Sequence, residues 1–464
     1  MSGTIEESSG PAVAGASHRQ TPALGDVRFP GIEGLRGIAA IAVVVNHTVA
    51  ISTLIATQWG AYLAQLRAGV QIFFVISGFV LYRPFVAAHL ANRKGPRLAG
   101  YFRRRFFRIF PAYWAVLIVA VYGLHVLYLV GVKATVIHFS LLQTYFPISS
   151  FLNGLAPAWT LVVEVTFYVA LPLISFVIWR LGTGRRRLAA ELVGVGSLLA
   201  VGIFSSAWTA FGSPPSFIDI LPANLPAFSL GMLLAVGSSW GELHKVAAAW
   251  LNRVAARAWI WWAGAAFAFS AMVWAVHYPS VLPIGQLLGG QKPIPGTDAF
   301  ADSLLCAIVG VTLVVPVVFS GQPSLIRRSL RTRPMLFAGM ISYGIYLWHV
   351  PMIQEIESVV YHHGILSPTP HYNFAAITIL TLAATIVVAT ISWYVIERPL
   401  ISFSRAPWRV HALPRLAPYS ALIRDRRARP RGREAGDVAS NSTLEGDSQS
   451  QRSDRVRDSS RAAP

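Results

Sequence analysis

The stretch that decides the fold of this chain is "GLRGIAAIAVVVNH", which runs from Gly34 to His47. It is an apolar run with an arginine near one end and a histidine deep inside. Arg36 and His47 stand eleven residues apart, close to three α-helical turns, so both lie on one helix face about 16 Å apart. Ionisable groups inside a membrane span usually face a bundle interior. The stretch therefore predicts a span whose polar face lines an internal cavity.

The composition of the whole chain is that of a membrane protein. Hydrophobic residues make up 54% and charged residues 13%, whereas a soluble domain has about a quarter charged residues. Apolar runs of about 20 residues, the length of a helix that crosses a bilayer, recur along the chain. The alternating pattern of membrane β-barrels is absent. We expect an all-α polytopic membrane protein, and its single cysteine, Cys306, excludes an internal disulfide.

The hydropathy pattern predicts about ten transmembrane helices in one bundle with an internal cavity. The segment at 135–148 is too short for a span, so it is either re-entrant or interfacial. The predicted spans cover 32–52, 69–90, 110–131, 157–179, 189–211, 219–238, 257–277, 301–320, 336–356 and 374–396.

The loop charges predict that both termini are cytoplasmic. With the N-terminus inside, the inner loops carry seventeen Lys and Arg residues, and the outer loops carry only Arg67, Lys133 and Lys292. This asymmetry follows the positive-inside rule, and one missed span would scramble it. The rule also accounts for the net charge of +19, so we expect no nucleic-acid partner.

Three regions follow from these patterns. Residues 1–30 are rich in Gly, Ala, Ser and Pro and contain no signal-peptide pattern, so we expect a disordered cytoplasmic N-tail. Residues 31–401 form the transmembrane domain. Residues 402–464 are rich in Arg and Ser and predict a disordered cytoplasmic C-tail, whose charges can contact membrane lipids.

A second ionisable group is Glu164 in "PAWTLVVEVTFYVALPL". This span enters from the outside, and Glu164 follows Pro157 by seven residues, which is a depth of roughly 10 Å. His47 reaches a similar depth from the other side. The two groups can therefore pair, with Glu164 orienting the ring of a catalytic His47. A simple helix–helix hydrogen bond of His47 is the open alternative.

An arginine cluster in "YFRRRFFRIFPAYW" precedes the third span. Arg105 and Arg108 are three residues apart and share a helix face. Guanidinium groups bind phosphate oxygens in bidentate fashion, so Arg36, Arg105 and Arg108 are candidates for binding the phosphates of a nucleotide-bearing donor. Anchoring to lipid phosphate and membrane topology are the alternatives.

Other polar groups in the spans are candidates for lining the cavity. Ser77 precedes Gly78, a small pair that permits close helix approach, whereas Glu397 and Arg398 indicate a structural end to the last span. No P-loop, HExxH or CxxC motif is present, and we expect no metal, including at His362, His363 and His371. The possible cavity-lining residues are Asn46, Gln71, Ser77, Trp159, Tyr346 and His349.

The chain resembles membrane-bound acyltransferase family 3, which includes bacterial O-antigen and peptidoglycan O-acetyltransferases and macrolide acyltransferases. The resemblance runs from about residue 29 to 400 and rests on several blocks in order. These blocks are "GLRGIAAIAVVVNH", "FFVISGF", the arginines before "IFPAYW", "PAWTLVVEVTFYVALPL", "GMLLA", "ISYGIYLWH" and "IERP".

The resemblance implies an O-acyltransferase of the bacterial plasma (inner) membrane. Family members move an acyl group, often acetyl, from cytoplasmic acyl-CoA to a hydroxyl of a sugar or glycoconjugate. The catalytic histidine corresponds to His47, its paired arginine to Arg36, the conserved glutamate to Glu164, and the paired arginines to Arg105 and Arg108. Many members carry an acidic residue where this chain has Gln71. Some carry a C-terminal SGNH esterase-like domain, which we do not expect in this sequence.

The expected acceptor is a carbohydrate, glycoconjugate or macrolide-type hydroxyl, and the expected donor is acyl-CoA, most simply acetyl-CoA. His47 acts either as a general base or as a covalent acyl carrier. The alternative function is that of a transporter or flippase for a glycoconjugate, which also places ionisable groups at mid-membrane.

Overall fold

The computed structural model describes residues 29–146, 155–212, 220–275, 296–319, 324–361 and 373–405. These residues are predominantly helical. The helices are α1 (Pro30–Ala50), α2 (Gln58–Ala64), α3 (Gly69–Leu90), α4 (Leu98–Ile118), α5 (Gly131–Phe139), α6 (Trp159–Leu181), α7 (Arg187–Gly212), α8 (Leu221–Leu243), α9 (Lys245–Ala256), α10 (Ala258–Ala275), α11 (Gly296–Phe319), α12 (Leu325–Ser329), α13 (Arg333–Met340), α14 (Ser342–Val359), α15 (Phe374–Ser392) and α16 (Arg398–Arg405).

Within these described ranges, nine helices are long and apolar enough to cross a membrane. The count becomes ten if α13 and α14, which meet at a bend of 68°, form one broken span. The prediction of an all-α polytopic membrane protein is therefore confirmed. The cytoplasmic placement of the termini stays a prediction, and residues 1–28 and 406–464 lie outside the described residues.

Helix α3 is the central element of the bundle. It packs against α1 on one side and against α6, α8 and α11 on the others. Helix α1 packs in addition against α13, α14 and α15, whereas α6 packs against α7 and α8. The space between α1, α3, α4, α6 and α14 contains the cavity described below.

Two glycines allow α3 and α8 to pack backbone to backbone. A Cβ atom on Gly78 would overlap the carbonyl oxygen of Phe228, and one on Gly231 would overlap the carbonyl oxygen of Val75. Small residues have this role at helix interfaces in membranes. The expected close approach at Gly78 is therefore present, and its partner is α8.

Helix α4 extends further toward its N-terminus than the predicted third span. Helix α4 begins at Leu98, twelve residues before the predicted position 110, so Arg105 and Arg108 lie inside a helix that is long enough to span the membrane. The hydropathy window excluded this turn because of its charges. The helix tolerates the two charges because both guanidinium groups line the internal cavity.

The last span also differs from the prediction. Instead of ending near Glu397, the helix continues through a π-helical turn at Trp393–Glu397 into α16. Glu397 is only 1% exposed, and it is close enough to Arg108 and Arg36 for an electrostatic interaction. It is therefore a buried residue near the arginines and not a residue at the surface end of the span.

The described part of the short segment, residues 135–146, contains no candidate span. Helix α5 ends at Phe139 and docks on α4, where the Tyr113 hydroxyl donates to the His138 carbonyl at 2.8 Å. The Trp114 indole donates to the Phe139 carbonyl at 2.8 Å. These bonds satisfy carbonyl groups at the end of a helix that is too short to cross the bilayer.

Candidate active site

An internal cavity of about 120 Å³ lies between five helices. Helix α1 contributes Arg36, α4 contributes Arg105 and Arg108, and α6 contributes Glu164. The other walls come from α3 and α14. Its remaining lining residues are Ile32, Glu33, Val70, Phe73, Phe74, Ile76, Ser77, Val80, Leu81, Thr160, Leu161, Tyr168, Ser342, Tyr343 and Tyr346.

The three predicted phosphate-binding arginines converge on this cavity. The guanidinium of Arg105 lies 5.7 Å from the ring centroid of Tyr168, and that of Arg108 lies 6.0 Å from the ring of Tyr343. The Nε atoms of Arg36 and Arg105 are buried, and within the described residues neither has a hydrogen-bond partner. Buried donors are normally satisfied, so these two orphan donors indicate a site for an anionic ligand.

The glycines of the opening motif determine where Arg36 points. Gly34 and Gly37 share one face of α1, and a Cβ atom there would overlap the backbone at Leu330 and Gly339. This face is therefore pressed against the segment containing α12 and α13. The Arg36 side chain is directed into the cavity instead.

The Glu164 carboxylate is held by two hydroxyl groups in the cavity wall. Oε1 accepts hydrogen bonds from Ser77 Oγ at 2.8 Å and from Tyr168 Oη at 2.5 Å. The carboxylate is also close enough to Arg36 for an attractive electrostatic interaction.

His47 lies beside a second histidine, His349 of α14. The two ring centroids are 4.8 Å apart with an interplanar angle of 68°. His47 Nδ1 lies 2.9 Å from the Val43 carbonyl oxygen, and His349 Nδ1 lies 2.7 Å from the Tyr346 carbonyl oxygen. Because a carbonyl oxygen only accepts, Nδ1 is the donor in both rings, and each neutral imidazole keeps a lone pair on Nε2.

The structure corrects the expected pairing of Glu164 with His47. Glu164 bonds to Ser77 and Tyr168, and the ring nitrogen of His47 bonds to its own helix. The similar depths of Glu164 and His47 along their own helices do not determine which faces of the two helices meet. Helix α1 packs mainly against α3, α13, α14 and α15, whereas α6 packs against α3, α7 and α8, which directs Glu164 toward the arginines.

Tyr346 separates the cavity from the histidine pair. Its ring lines the cavity and lies 5.7 Å from the ring of His349. Its hydroxyl group is 2.7 Å from Thr160 Oγ1 and donates to the Pro157 carbonyl at 3.1 Å. His47 itself does not line this cavity.

Of the six residues expected to line the cavity, only Ser77 and Tyr346 do so. The side chain of each of the others contacts a neighbouring helix instead, and these contacts depend on which helices are neighbours. Asn46 donates to the Ala64 carbonyl at 2.5 Å, Gln71 donates to Asn224 of α8 at 3.3 Å, Trp159 lies 6.4 Å from the ring of Phe74, and His349 packs on His47.

Five polar cavity residues were not predicted: Glu33, Thr160, Tyr168, Ser342 and Tyr343. Tyr168 could have been found, because it follows Glu164 by one helical turn and therefore shares its face. Tyr343 belongs to the "ISYGIYLWH" block, where an interface belt was an equally good explanation.

No group of three or more His, Cys, Asp or Glu residues in the described part of the chain is arranged to bind a metal ion. The expected absence of a metal at His362, His363 and His371 concerns positions that lie outside the described residues.

Comparison with known proteins gives a consistent family. The chain is 27% identical to peptidoglycan O-acetyltransferase OatA of Listeria monocytogenes, over 80% of this chain and 55% of the relative. The putative peptidoglycan O-acetyltransferase YrhL of Bacillus subtilis is 25% identical with the same two coverages. Acyltransferase MdmB of Streptomyces mycarofaciens is 24% identical over 80% of this chain and 92% of the relative.

The chain thus spans about half the length of the two peptidoglycan O-acetyltransferases it matches. No solved structure shows significant similarity to it. Residues 29–394 match the family model described as an acyltransferase domain, which includes every predicted site residue. The expected resemblance is confirmed, and the chain belongs to the acyltransferase 3 family.

Proposed function

We propose that this protein is a membrane O-acyltransferase that moves an acyl group from acyl-CoA to a hydroxyl group. The proposal is carried by one observation in a chain of this family: two orphaned guanidinium donors, Arg36 and Arg105, face an internal cavity. An anionic donor satisfies them, and acyl-CoA brings its phosphates together with its acyl group. Charge-assisted bonds between guanidinium and phosphate are among the strongest available.

The donor is bound from the cytoplasmic side of the bacterial plasma membrane in this proposal. Arg36, Arg105 and Arg108 bind its phosphates, and the pantetheine arm extends through the cavity toward Tyr346. The cavity of about 120 Å³ favours a short acyl group such as acetyl. The acetyl group named for the peptidoglycan-modifying relatives supports the same choice.

His47 is the general base of the proposed transfer. Its Nε2 lone pair takes the proton of the acceptor hydroxyl while the hydroxyl oxygen attacks the thioester carbonyl carbon. The carbon–sulfur bond then breaks, and the leaving CoA sulfur takes the proton from His47. The products are an O-acyl ester and free CoA, and His47 is regenerated. Such a base contributes about 10²–10⁴ in rate.

The proposal requires a movement of Tyr346. This side chain closes the cavity on the side of the histidine pair and is held by Thr160 and Pro157. A thioester in the cavity reaches His47 only when the Tyr346 ring rotates away from these partners. Closure of Tyr346 without an acceptor keeps the thioester away from water.

We propose a carbohydrate or glycoconjugate hydroxyl of the cell envelope as the acceptor. The peptidoglycan O-acetyltransferases among the relatives support this class. A macrolide-type hydroxyl is the second acceptor class to be assayed. Both acceptors present an alcohol, so the same base chemistry serves either one.

The decisive experiment measures transfer by the purified full chain in liposomes. Acetyl-CoA labelled in the acetyl group is supplied with muropeptides or a macrolide, and both free CoA and labelled acceptor are quantified. His47→Ala is expected to lower transfer by about 10²–10⁴. His244→Ala, which changes an exposed histidine after α8, is the matched control and should retain wild-type transfer.

Equal CoA release by the wild type and His47→Ala would refute the proposed enzyme. A transporter or flippase would instead move a labelled glycoconjugate across the liposome membrane without any release of CoA.

A further inference from the structure

A second and larger cavity, of about 480 Å³, lies at the ends of α3 and α6 and at the start of α4. Its wall contains a basic loop with Arg93 and Lys94 and three large aromatic side chains, Phe85, Phe176 and Trp179. Its lining residues are Phe85, Ala88, His89, Asn92, Arg93, Lys94, Gly95, Pro96, Leu98, Pro172, Ser175, Phe176 and Trp179.

The two cavities lie along the same faces of three helices. On α6, Tyr168 lines the first cavity and Pro172 lines the second. On α3, Leu81 and Phe85 are related in the same way. Positions four residues apart share a helix face and are separated by about 6 Å along the axis. The two cavities therefore follow one another along these helices at a spacing of about one turn.

Helix α4 supplies the junction between the cavities. Tyr101 is 4% exposed, and its ring lies 5.6 Å from the ring of Phe85. The Tyr101 hydroxyl donates to the Tyr168 carbonyl at 3.2 Å. The Arg105 guanidinium lies 6.0 Å from the Tyr101 ring and 5.7 Å from the Tyr168 ring. Tyr101 thus lies between the two cavities beside Arg105, whose buried Nε has no partner in the described structure.

The loop after α3 is held in a fixed shape that presents its two basic residues. Asn92 has a φ of 54°, and the Arg93 amide donates to the Ala88 carbonyl at 2.8 Å, which closes the end of α3. Arg93 and Lys94 then follow at the cavity rim, where both are exposed. Two cations at a rim suit a phosphate group.

The opposite wall is aromatic, and the floor is rigid. The rings of Phe176 and Trp179 are stacked at 6.0 Å with an interplanar angle of 29°. His89 is 4% exposed, and its two ring nitrogens lie 2.5 Å from Glu191 Oε1 and 3.2 Å from the Gly182 carbonyl. An aromatic wall opposite a basic rim is suited to a purine nucleotide, because the base stacks while the phosphates bind cations.

We propose that this second cavity binds the nucleotide end of the acyl-CoA donor. The adenine stacks on Trp179, the ribose phosphate binds Arg93 and Lys94, the diphosphate passes Arg105, and the pantetheine arm enters the first cavity. This inference rests on the proposed function. The cavity volumes support this division of the donor between two cavities. Ligand pockets usually enclose about 300–1,000 Å³; the second cavity lies within that range, and the first cavity is below it.

The test measures equilibrium binding of CoA and dephospho-CoA to the purified full chain in lipid nanodiscs. Dephospho-CoA lacks only the ribose 3′-phosphate. Arg93→Ala combined with Lys94→Ala should weaken CoA binding about tenfold or more and should affect dephospho-CoA much less. The matched control, Arg328→Ala with Arg331→Ala, removes two exposed charges from the loop region around α12 and should bind both ligands like the wild type.

A second variant tests the aromatic wall. Trp179→Ala should weaken CoA and dephospho-CoA equally, by about fivefold or more for a lost stacking contact. Trp259→Ala, which removes an exposed tryptophan at the start of α10, should change neither affinity. Thermal unfolding of every variant separates a binding loss from a folding loss.

Two outcomes would overturn the inference. One is an unchanged ratio of CoA to dephospho-CoA affinity in the Arg93 and Lys94 double variant. The other is a double variant that still binds CoA like the wild type but no longer binds phosphatidylglycerol vesicles. That result would identify the cavity as a lipid headgroup site. Failure of the proposed function gives a different result: His47→Ala would leave acetyl transfer unchanged whatever these binding constants are.

Discussion

At the scale of single residues, the environment of His47 is unusual for a proposed base. In the described structure, the ring of His349 interacts electrostatically with the ring of His47, and no carboxylate interacts with either ring. His349 is fully buried, and its Nε2 atom has no hydrogen-bond partner among the described residues. This lone pair can accept a hydrogen bond from His47 once His47 has taken the acceptor proton.

This geometry predicts opposite results for two substitutions of His349. His349→Gln retains a side-chain acceptor and should preserve most of the transfer rate. His349→Phe retains the ring shape but loses the acceptor, and kcat should fall about 10–100-fold, the value of a hydrogen bond to a charged group. The measurement is kcat and donor KM in the liposome assay, with donor KM expected to stay near the wild-type value.

A purely structural role of His349 predicts the reverse order. An aromatic ring would then fill the buried site better than an amide, so His349→Phe would be the more active of the two. Thermal unfolding in detergent is the control that shows whether both variants fold.

At the scale of elements, the bundle depends on contacts that only glycine permits. Gly78 and Gly231 bring α3 and α8 together, and α3 also carries Ser77, which holds Glu164. A change in the spacing of α3 and α8 therefore reaches the cavity wall directly. Packed helices transmit such shifts because their interiors have few voids.

We expect Gly78→Ala to destabilise the protein by about 1–3 kcal/mol, the usual cost of overpacking, because the new methyl group meets the Phe228 carbonyl. Gly196→Ala on α7 is the matched control, since a Cβ there meets nothing within 4 Å. It should be neutral or stabilising by up to about 1 kcal/mol. Thermal unfolding in detergent measures both variants, and equal melting temperatures would contradict the interpretation of the α3–α8 contact.

The same scale explains the misplaced start of α4. A hydropathy window averages over all faces of a helix, so Arg105 and Arg108 lowered the score of a turn that is helical. Their side chains occupy one face, which lines the cavity. Ionisable groups that face a cavity are compatible with a span, but the sequence does not show where a cavity is.

At the scale of the whole molecule, the loop charges predict an orientation that labelling can test. Cys306 is the only cysteine of the chain, and it is buried. Cys306→Ala therefore provides a background for single cysteines. With a membrane-impermeant maleimide on intact cells, Lys133→Cys should be labelled at once, and Lys94→Cys only after the cells are permeabilised.

Labelling of Lys94→Cys from outside would invert the topology. It would place the basic loop and both cavities away from the cytoplasm, where acyl-CoA is supplied. Thermal unfolding of both variants in detergent is the control that shows that each substituted protein is folded.

The sequence by itself determined the class of the molecule, the approximate positions of its spans, and the shared face of Arg36 and His47. These features depend on composition and on the 3.6-residue period, which are properties of a single segment. The family was also readable, because it rests on short motifs in a fixed order that the family model confirms.

Only the tertiary structure decided which polar groups meet. It placed Glu164 with Ser77 and Tyr168, and it placed His47 with His349. Depth along a helix is a local quantity, whereas the side on which a neighbour lies depends on contacts between segments that are far apart in the sequence. The opening stretch therefore specifies two polar positions on one helix, and the packing of the other helices decides what each position contacts.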